Sequence, residues 1–344
     1  MRNSLWWMVV SRAWWLTSVA GVTAAPPESD ASGPFNLTAR ASELDARARP
    51  HPEIDFVFDR EGKPADVQHA VVDTRIRSRG RLVVWLMDYN PALFDRLASY
   101  GLHGVQPHYA NKWFALVKPR DRMARGLVRL EAATGRDVSD QVAIPDPDGM
   151  MERTRVFVTW LTRENPEGKW EQFLTEDGTA VRWEKVILAG ASHGSTTAAR
   201  FAKEVRCDRV VMLCGPRDQD QDWQSLPSAT PAERFFAFSH VLDDGWIGHH
   251  YCRSWEVLGM ADFGPIVDVD TATPPYGNTR RLVSAADVGG DRKKAHGAVQ
   301  PGRRSPTAPD GSMRYEPVWK YLFTHPVDQV GEPTPPDPAC RVAR

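Results

Sequence analysis

Several things are scarce in this chain, and each scarcity excludes something. An excess of one charge is missing: 43 Lys and Arg stand against 44 Asp and Glu, a net of -1, so nothing argues for nucleic acid or anionic lipid as the main partner. The basic clusters Arg292-Lys293-Lys294 and Arg303-Arg304 are short, flanked by Asp291 and Gly302, and read as solvated loop. Cysteine is sparse too. The four residues Cys207, Cys214, Cys252 and Cys340 show no C-x-x-C spacing, which argues against structural zinc. Cys207 and Cys214 bracket one expected strand and are too far apart to bridge each other. In an oxidising compartment one or two disulfides can form among the four. Long apolar runs are lacking: the best, residues 13–22, falls short of the about 20 residues a membrane span needs. No internal repeat is visible. Neither metal nor cofactor is expected, nor nucleic-acid binding, nor stable membrane insertion; oligomeric state stays open.

The N-terminus carries a secretory pattern. Arg2 and Arg12 supply positive charge, the apolar stretch follows, and Val22-Thr23-Ala24-Ala25 is a small-residue cleavage site. Residues 1–25 are therefore expected to be a signal peptide, and the protein secreted or periplasmic. Since Arg12 interrupts the apolar segment, a start at Met8 is an alternative. No cysteine sits at the cleavage site, which excludes lipid attachment there.

Residues 26–52, rich in Pro, Ala, Ser and charge without periodicity, read as a flexible linker. Residues 327–344 read as a Pro-rich tail. Between them, residues 53–326 alternate apolar runs with helical patterns and form one expected domain. Eight strands are expected, at 55–58, 70–73, 82–87, 103–106, 185–189, 209–214, 234–239 and 281–285. Helices are expected at 91–100, 123–132, 151–164, 195–204 and 315–323. That alternation predicts an α/β fold with a doubly wound, mostly parallel eight-stranded sheet.

The chemistry is most legible at Gly190-Ala191-Ser192-His193-Gly194. The motif follows a buried strand and precedes a helix, the context of a nucleophile elbow. Its glycines permit a turn so tight that the serine hydroxyl is thrust out and the next backbone N–H faces a developing oxyanion. Such a serine needs a base and a carboxylate to orient that base. Each belongs on a loop at the carboxyl end of a later strand. Asp243 follows the strand ending near Ser239, and His296 follows the strand ending near Ala285, in the chain order Ser, Asp, His. Asp244 is an alternative acid. Asp218 is another, unless Arg217 holds it in an ion pair. His193, adjacent to Ser192, is expected to line the site rather than act as base. His240, His249 and His250 lack a carboxylate at metal-ligand spacing. Trp113, Phe114, Trp223 and Trp246 are candidates either for a pocket rim or for packing.

From about Leu82 to Phe323 the chain resembles an uncharacterised bacterial secreted subgroup of the α/β-hydrolase superfamily. The resemblance rests on the elbow, on Trp170-Glu171-Gln172-Phe173-Leu174 with Val181-Arg182-Trp183-Glu184-Lys185-Val186, and on Cys214-Gly215-Pro216-Arg217-Asp218-Gln219. Ser239-His240-Val241-Leu242-Asp243, Trp255-Glu256-Val257-Leu258-Gly259 and the late His296 complete it. It implies the fold and a Ser192–Asp243–His296 triad, and it implies no substrate. Related chains carry a Pro-Gly-Thr-Gly-Gly-like loop after the third strand, whose backbone completes the oxyanion hole; here Met87-Asp88-Tyr89-Asn90 stands there. A carboxylate at Asp88 would repel an oxyanion unless it faces away. The expected function is a serine hydrolase acting on a small-molecule ester or acyl substrate through an acyl-enzyme. Peptidase or acyltransferase chemistry, or a catalytically inactive binding protein on the same fold, are the alternatives.

Overall fold

The computed structural model describes residues 33–118, 120–218, 221–247, 250–337 and 340. The expected signal segment and residues 26–32 lie outside them. The strands are β1 (Pro34–Arg40), β2 (Asp59–Arg60), β3 (Lys63–Pro64), β4 (Val67–Asp73), β5 (Leu82–Trp85), β6 (His103–Gln106), β7 (Val186–Ala191), β8 (Arg209–Leu213), β9 (Phe235–His240), β10 (Ile266–Asp268) and β11 (Arg281–Ser284). The helices are α1 (Ala41–Leu44), α2 (Pro91–Ser99), α3 (Ala124–Thr134), α4 (Met150–Glu164), α5 (His193–Phe201), α6 (Asp244–Ile247), α7 (His250–Val257), α8 (Arg292–Ala298) and α9 (Glu316–Thr324).

β2 and β3 make a small hairpin; the other nine strands form one sheet in the order β1-β4-β6-β5-β7-β8-β9-β11-β10. The β1/β4 and β4/β6 pairs are antiparallel and all the rest parallel. Every residue of β5, β7, β8, β9 and β11 is buried. That is what continuous apolar runs such as Leu82-Val83-Val84-Trp85 demand, since a parallel sheet is covered on both faces. The register sets Trp85 opposite Ala189, and Ala191 opposite Leu213.

The expected doubly wound sheet is present, with nine strands instead of eight. Residues 55–58 are not a strand: Asp55 takes a left-handed conformation and the main chain of His51 pairs with that of Phe56. Phe56 then stacks on His108 and joins a small second core with Ile54, Trp113 and Val128. The expected linker becomes structured from Pro34 onward, as edge strand β1. Its signal was the alternation of Phe35, Leu37 and Ala39, which turn toward the core while Pro34, Asn36 and Thr38 face solvent. Pro34, at the first position of an edge strand, costs no ladder bond. β10 was also missed, being only three half-buried residues long.

Helix α4 buries Met150, Thr154, Phe157, Val158 and Leu161, whereas Val156 and Trp160 are only half-buried. The Pro-rich tail is fastened over its described length. Thr334 N donates to Ala261 O at 3.0 Å, Arg281 Nη2 to Thr334 Oγ1 at 2.7 Å, and Cys340 is disulfide-bonded to Cys252. Cys207 and Cys214 are free and buried.

Candidate active site

The strand order itself locates a crevice. From β5 the chain runs through α2 to β6 on one side; from β7 it runs through α5 to β8 on the other. β5 and β7 are neighbours whose connections diverge, and ligands in open α/β sheets bind at the carboxyl ends of such a pair. Ser192 ends β7 there, and residues 86–90 follow β5.

Ser192 sits at φ 52, ψ -116 as the residue before α5. A non-glycine residue with positive φ is held there only when its surroundings over-determine it. Here the Ser192 N–H donates to Leu213 O at 2.9 Å, while its carbonyl accepts from Ser195 Oγ at 2.7 Å and Thr196 Oγ1 at 2.9 Å. The flanking glycines are required by space. A Cβ on Gly190 would lie 2.4 Å from Gly194 C, and one on Gly194 would lie 1.6 Å from Leu86 O. The end of β5 is therefore pressed against the first turn of α5. His193 is the first residue of that helix, where backbone N–H groups have no intrahelical acceptor.

Asp243 and His296 meet. His296 Nδ1 lies 2.6 Å from Asp243 Oδ2, and Asp243 is 1% exposed. The other carboxylate oxygen accepts from Gly245 N at 2.9 Å and Tyr251 Oη at 3.2 Å. A carboxylate accepts only, so Nδ1 carries the proton and Nε2 is left with its lone pair. Burial pushes the Tyr251 hydroxyl well above its ordinary pKa, so it stays a donor. The residue expected in a loop, His296, lies on α8, a short helix whose start is capped by Asp291 accepting from Lys293 N and Lys294 N.

The main chain of His296 is tied down as well. Its carbonyl accepts from Cys214 Sγ at 2.8 Å, and Cys214 directly follows Leu213, the acceptor of the Ser192 N–H. Ser192, Cys214, Asp243 and His296 are thus drawn to one edge. Cys214 Sγ, a carboxylate oxygen of Asp243 and a ring nitrogen of His296 all lie within 4.8 Å of one another. Burial, then the charge of Asp243, raises the Cys214 thiol well above its ordinary pKa. The thiol is thus a donor to the His296 carbonyl, while the His296 ring is held by Asp243.

The other candidates fall elsewhere. Asp244 is exposed and 3.3 Å from Arg292. Asp218 is buried in an ion pair, with Arg129 and not the expected Arg217: Nε–Oδ2 is 2.6 Å and Nη2–Oδ1 3.1 Å. Burial works to raise the Asp218 pKa, and Arg129 overcomes it and holds the carboxyl below its usual range. The same guanidinium donates to His193 O at 3.2 Å, His193 Nδ1 at 3.2 Å and Thr197 Oγ1 at 3.1 Å. It also lies over Trp113. Burial and Arg129 push the His193 pKa down to about 3, so His193 is neutral, with Nδ1 occupied as an acceptor and its ring stacked on exposed Phe114. It cannot serve as the base.

His240 is buried, with Nε2 2.8 Å from Ala286 O and Nδ1 accepting from Leu242 N at 3.0 Å, which leaves no lone pair for a metal. His249 lies outside the described residues. Trp223 is core and Trp246 packs on Trp255. Sequence reasoning missed Arg129, Gly245, Tyr251 and Cys214. Only Gly245, two residues after Asp243 in a turn, had a local signal.

In the loop after β5, Met87 is half-buried and packs at Gly194, while Asp88 is exposed. The Asp88 carbonyl accepts from Trp85 Nε1 at 3.0 Å. Tyr109 Oη donates to Leu86 O at 3.3 Å. These bonds fix the backbone of the loop opposite Ser192. A cleft of about 710 Å3 opens between this loop and the residues following His296.

No protein-family model matches the chain, and no curated protein matches it in sequence. Among solved structures it is similar to a lidless α/β serine hydrolase from Xanthomonas campestris, at 12% identity over 53% of this chain and 69% of that one, TM-score 0.28. It is similar to a protein assigned as a dienelactone hydrolase from Klebsiella pneumoniae, at 10% identity over 74% and 86%, TM-score 0.34. It is also similar to one assigned as a carboxylesterase from Lactobacillus plantarum, at 10% identity over 74% and 88%, TM-score 0.35. The chain's own architecture is a doubly wound, mostly parallel α/β sheet with a tight strand-to-helix turn after β7.

Proposed function

We propose that this protein is an exported serine hydrolase that cleaves carboxylic esters, with Ser192 as nucleophile, His296 as base and Asp243 as the acid that orients it. The observation that carries the reading is the 2.6 Å contact between His296 Nδ1 and the buried, triply held Asp243 carboxylate, on the sheet edge where Ser192 stands at positive φ. Ser192 Oγ attacks the ester carbonyl as His296 Nε2 takes its proton. The C–O bond to the alcohol then breaks, and the imidazolium returns the proton to the departing alkoxide. Water attacks the acyl-enzyme, His296 again takes and returns a proton, and the carboxylic acid leaves Ser192 free. The N–H groups of His193 and Met87 are the donors for the oxyanion in both halves.

Asp88 does not weigh against this reading. Its side chain is exposed, where water screens a charge many times more strongly than a protein interior does. Export is supported by the Cys252–Cys340 bond, which suits an oxidising compartment; N-terminal sequencing of the exported protein is expected to begin at Ala25 or Pro26, at the end of the expected signal segment. The enzymatic reading is tested by labelling the purified protein with a fluorophosphonate and by hydrolysis of short p-nitrophenyl esters. Ser192→Ala and His296→Ala are expected to abolish both. Wild-type protein that neither labels nor hydrolyses would support an inactive binding protein instead.

A further inference from the structure

Arg303 and Arg304 line the 710 Å3 cleft, as does Gly297, the residue after His296. One wall is the loop after β5, with Met87, Tyr89 and Pro91; the other is formed by Gly297, Pro301 and the two arginines. The walls are tied together where Asn90 Nδ2 donates to Pro301 O at 2.9 Å. The stem of Arg304 crosses Gly297, the residue after His296. A Cβ added there would lie 2.4 Å from Arg304 Cδ and 3.3 Å from Nη1. Glycine at 297 is thus what lets a guanidinium lie one residue from the proposed base.

Other surface arginines are held by carboxylates, as Arg75 is by Asp73 at 2.7 Å and Arg292 by Asp244 at 3.3 Å. Arg303 and Arg304 are both exposed, and neither is bonded or ion-paired to a described residue. Two uncommitted guanidinium groups lining a cleft together with Met87, Tyr89, Pro91 and Pro301 match a short acyl chain that ends in an anion. A guanidinium engages a carboxylate through two parallel N–H···O bonds.

We infer that the cleft selects esters whose acyl part carries a free carboxylate, that is, half-esters of dicarboxylic acids. This rests on the assignment of Ser192 and His296 as the reacting pair. Asp88, on the opposite wall, opposes the arginines and keeps the selectivity moderate. Each exposed guanidinium–carboxylate contact is worth about two- to fivefold in binding, so the pair gives about tenfold.

The test compares kcat/KM for mono-p-nitrophenyl glutarate with that for p-nitrophenyl butyrate, after subtraction of uncatalysed hydrolysis. The full-length wild type, Arg303→Gln/Arg304→Gln, Arg303→Glu and Asp88→Asn are each assayed at low and high salt. The anionic-to-neutral ratio is expected to fall about tenfold in the double variant, further in the charge reversal, and to rise in Asp88→Asn. Salt should shrink the wild-type ratio, because exposed charges are screened. An anionic-to-neutral ratio that is the same in all four proteins, while the wild type still hydrolyses the neutral ester, overturns the inference and leaves the esterase reading standing. A wild type that hydrolyses neither ester and takes up no fluorophosphonate overturns both.

Discussion

Changing Asp243 to Asn is the sharpest perturbation of the proposed site, because it exchanges one carboxylate oxygen for an NH2 of similar size, removing the charge and turning one acceptor into a donor. Asp243 Oδ1 accepts from Gly245 N at 2.9 Å and Tyr251 Oη at 3.2 Å, and an asparagine carbonyl oxygen keeps both bonds. Oδ2, 2.6 Å from His296 Nδ1, becomes an NH2 that can only donate. His296 must then accept at Nδ1 and carry its proton on Nε2, the nitrogen meant to take the serine proton. The equivalent change in a serine protease triad costs about 10⁴ in turnover, or about 5.5 kcal/mol of transition-state stabilisation, and the same loss is expected here. Stability should change little, since no buried group loses its partner. The assay is kcat/KM on a p-nitrophenyl ester, with the fluorophosphonate labelling rate as a second readout and urea unfolding as the control. Asp244→Asn, at an exposed position, should stay within about twofold of wild type. Asp243→Asn with more than a tenth of wild-type activity, or a large loss in Asp244→Asn, would refute the assignment of the acid.

Three further outcomes follow from the same structure. Asp218→Ala strands the buried Arg129 guanidinium, so urea unfolding should show a loss of about 3–5 kcal/mol; a loss under 1 kcal/mol would mean that Arg129 is not confined as described. Burial holds the His103 pKa down from 6.5 to about 4, so between those values the unfolded chain binds a proton that the folded chain does not. Stability therefore rises with pH through that window, and moving from pH 7.5 to pH 5 should cost about 2 kcal/mol at this residue alone, with His193 acting in the same direction; His103→Gln should flatten the dependence. Cys252→Ser should lower stability by about 3–5 kcal/mol, since the disulfide closes a loop of 88 residues; calorimetry with and without reductant checks this, and equal melting temperatures would count against it.

Local pattern determined a good deal by itself. Runs such as Leu82–Trp85 and Val186–Ala191 can be satisfied only by burial on both sides, so the parallel strands were legible. Glycines flanking Ser192 between a strand and a helix marked the turn, because no side chain fits at either position. The order of Asp243 and His296 behind later strands followed from where doubly wound sheets leave their loops. β1 was legible in principle from Phe35, Leu37 and Ala39, and was hidden by the prolines and charges around it.

Tertiary structure decided the rest. That Asp243 and not Asp244 faces His296 depends on a turn closed by Gly245 and Tyr251, and alternation along the chain cannot tell adjacent carboxylates apart. That Asp218 belongs to Arg129 depends on α3 packing against α5, across 89 residues of sequence. The pairing of Cys252 with Cys340, 88 residues apart, likewise comes from chain segments that meet only in the folded protein. A sequence carries its periodicities and turn chemistry locally; which charge finds which partner is settled by the whole packed sheet.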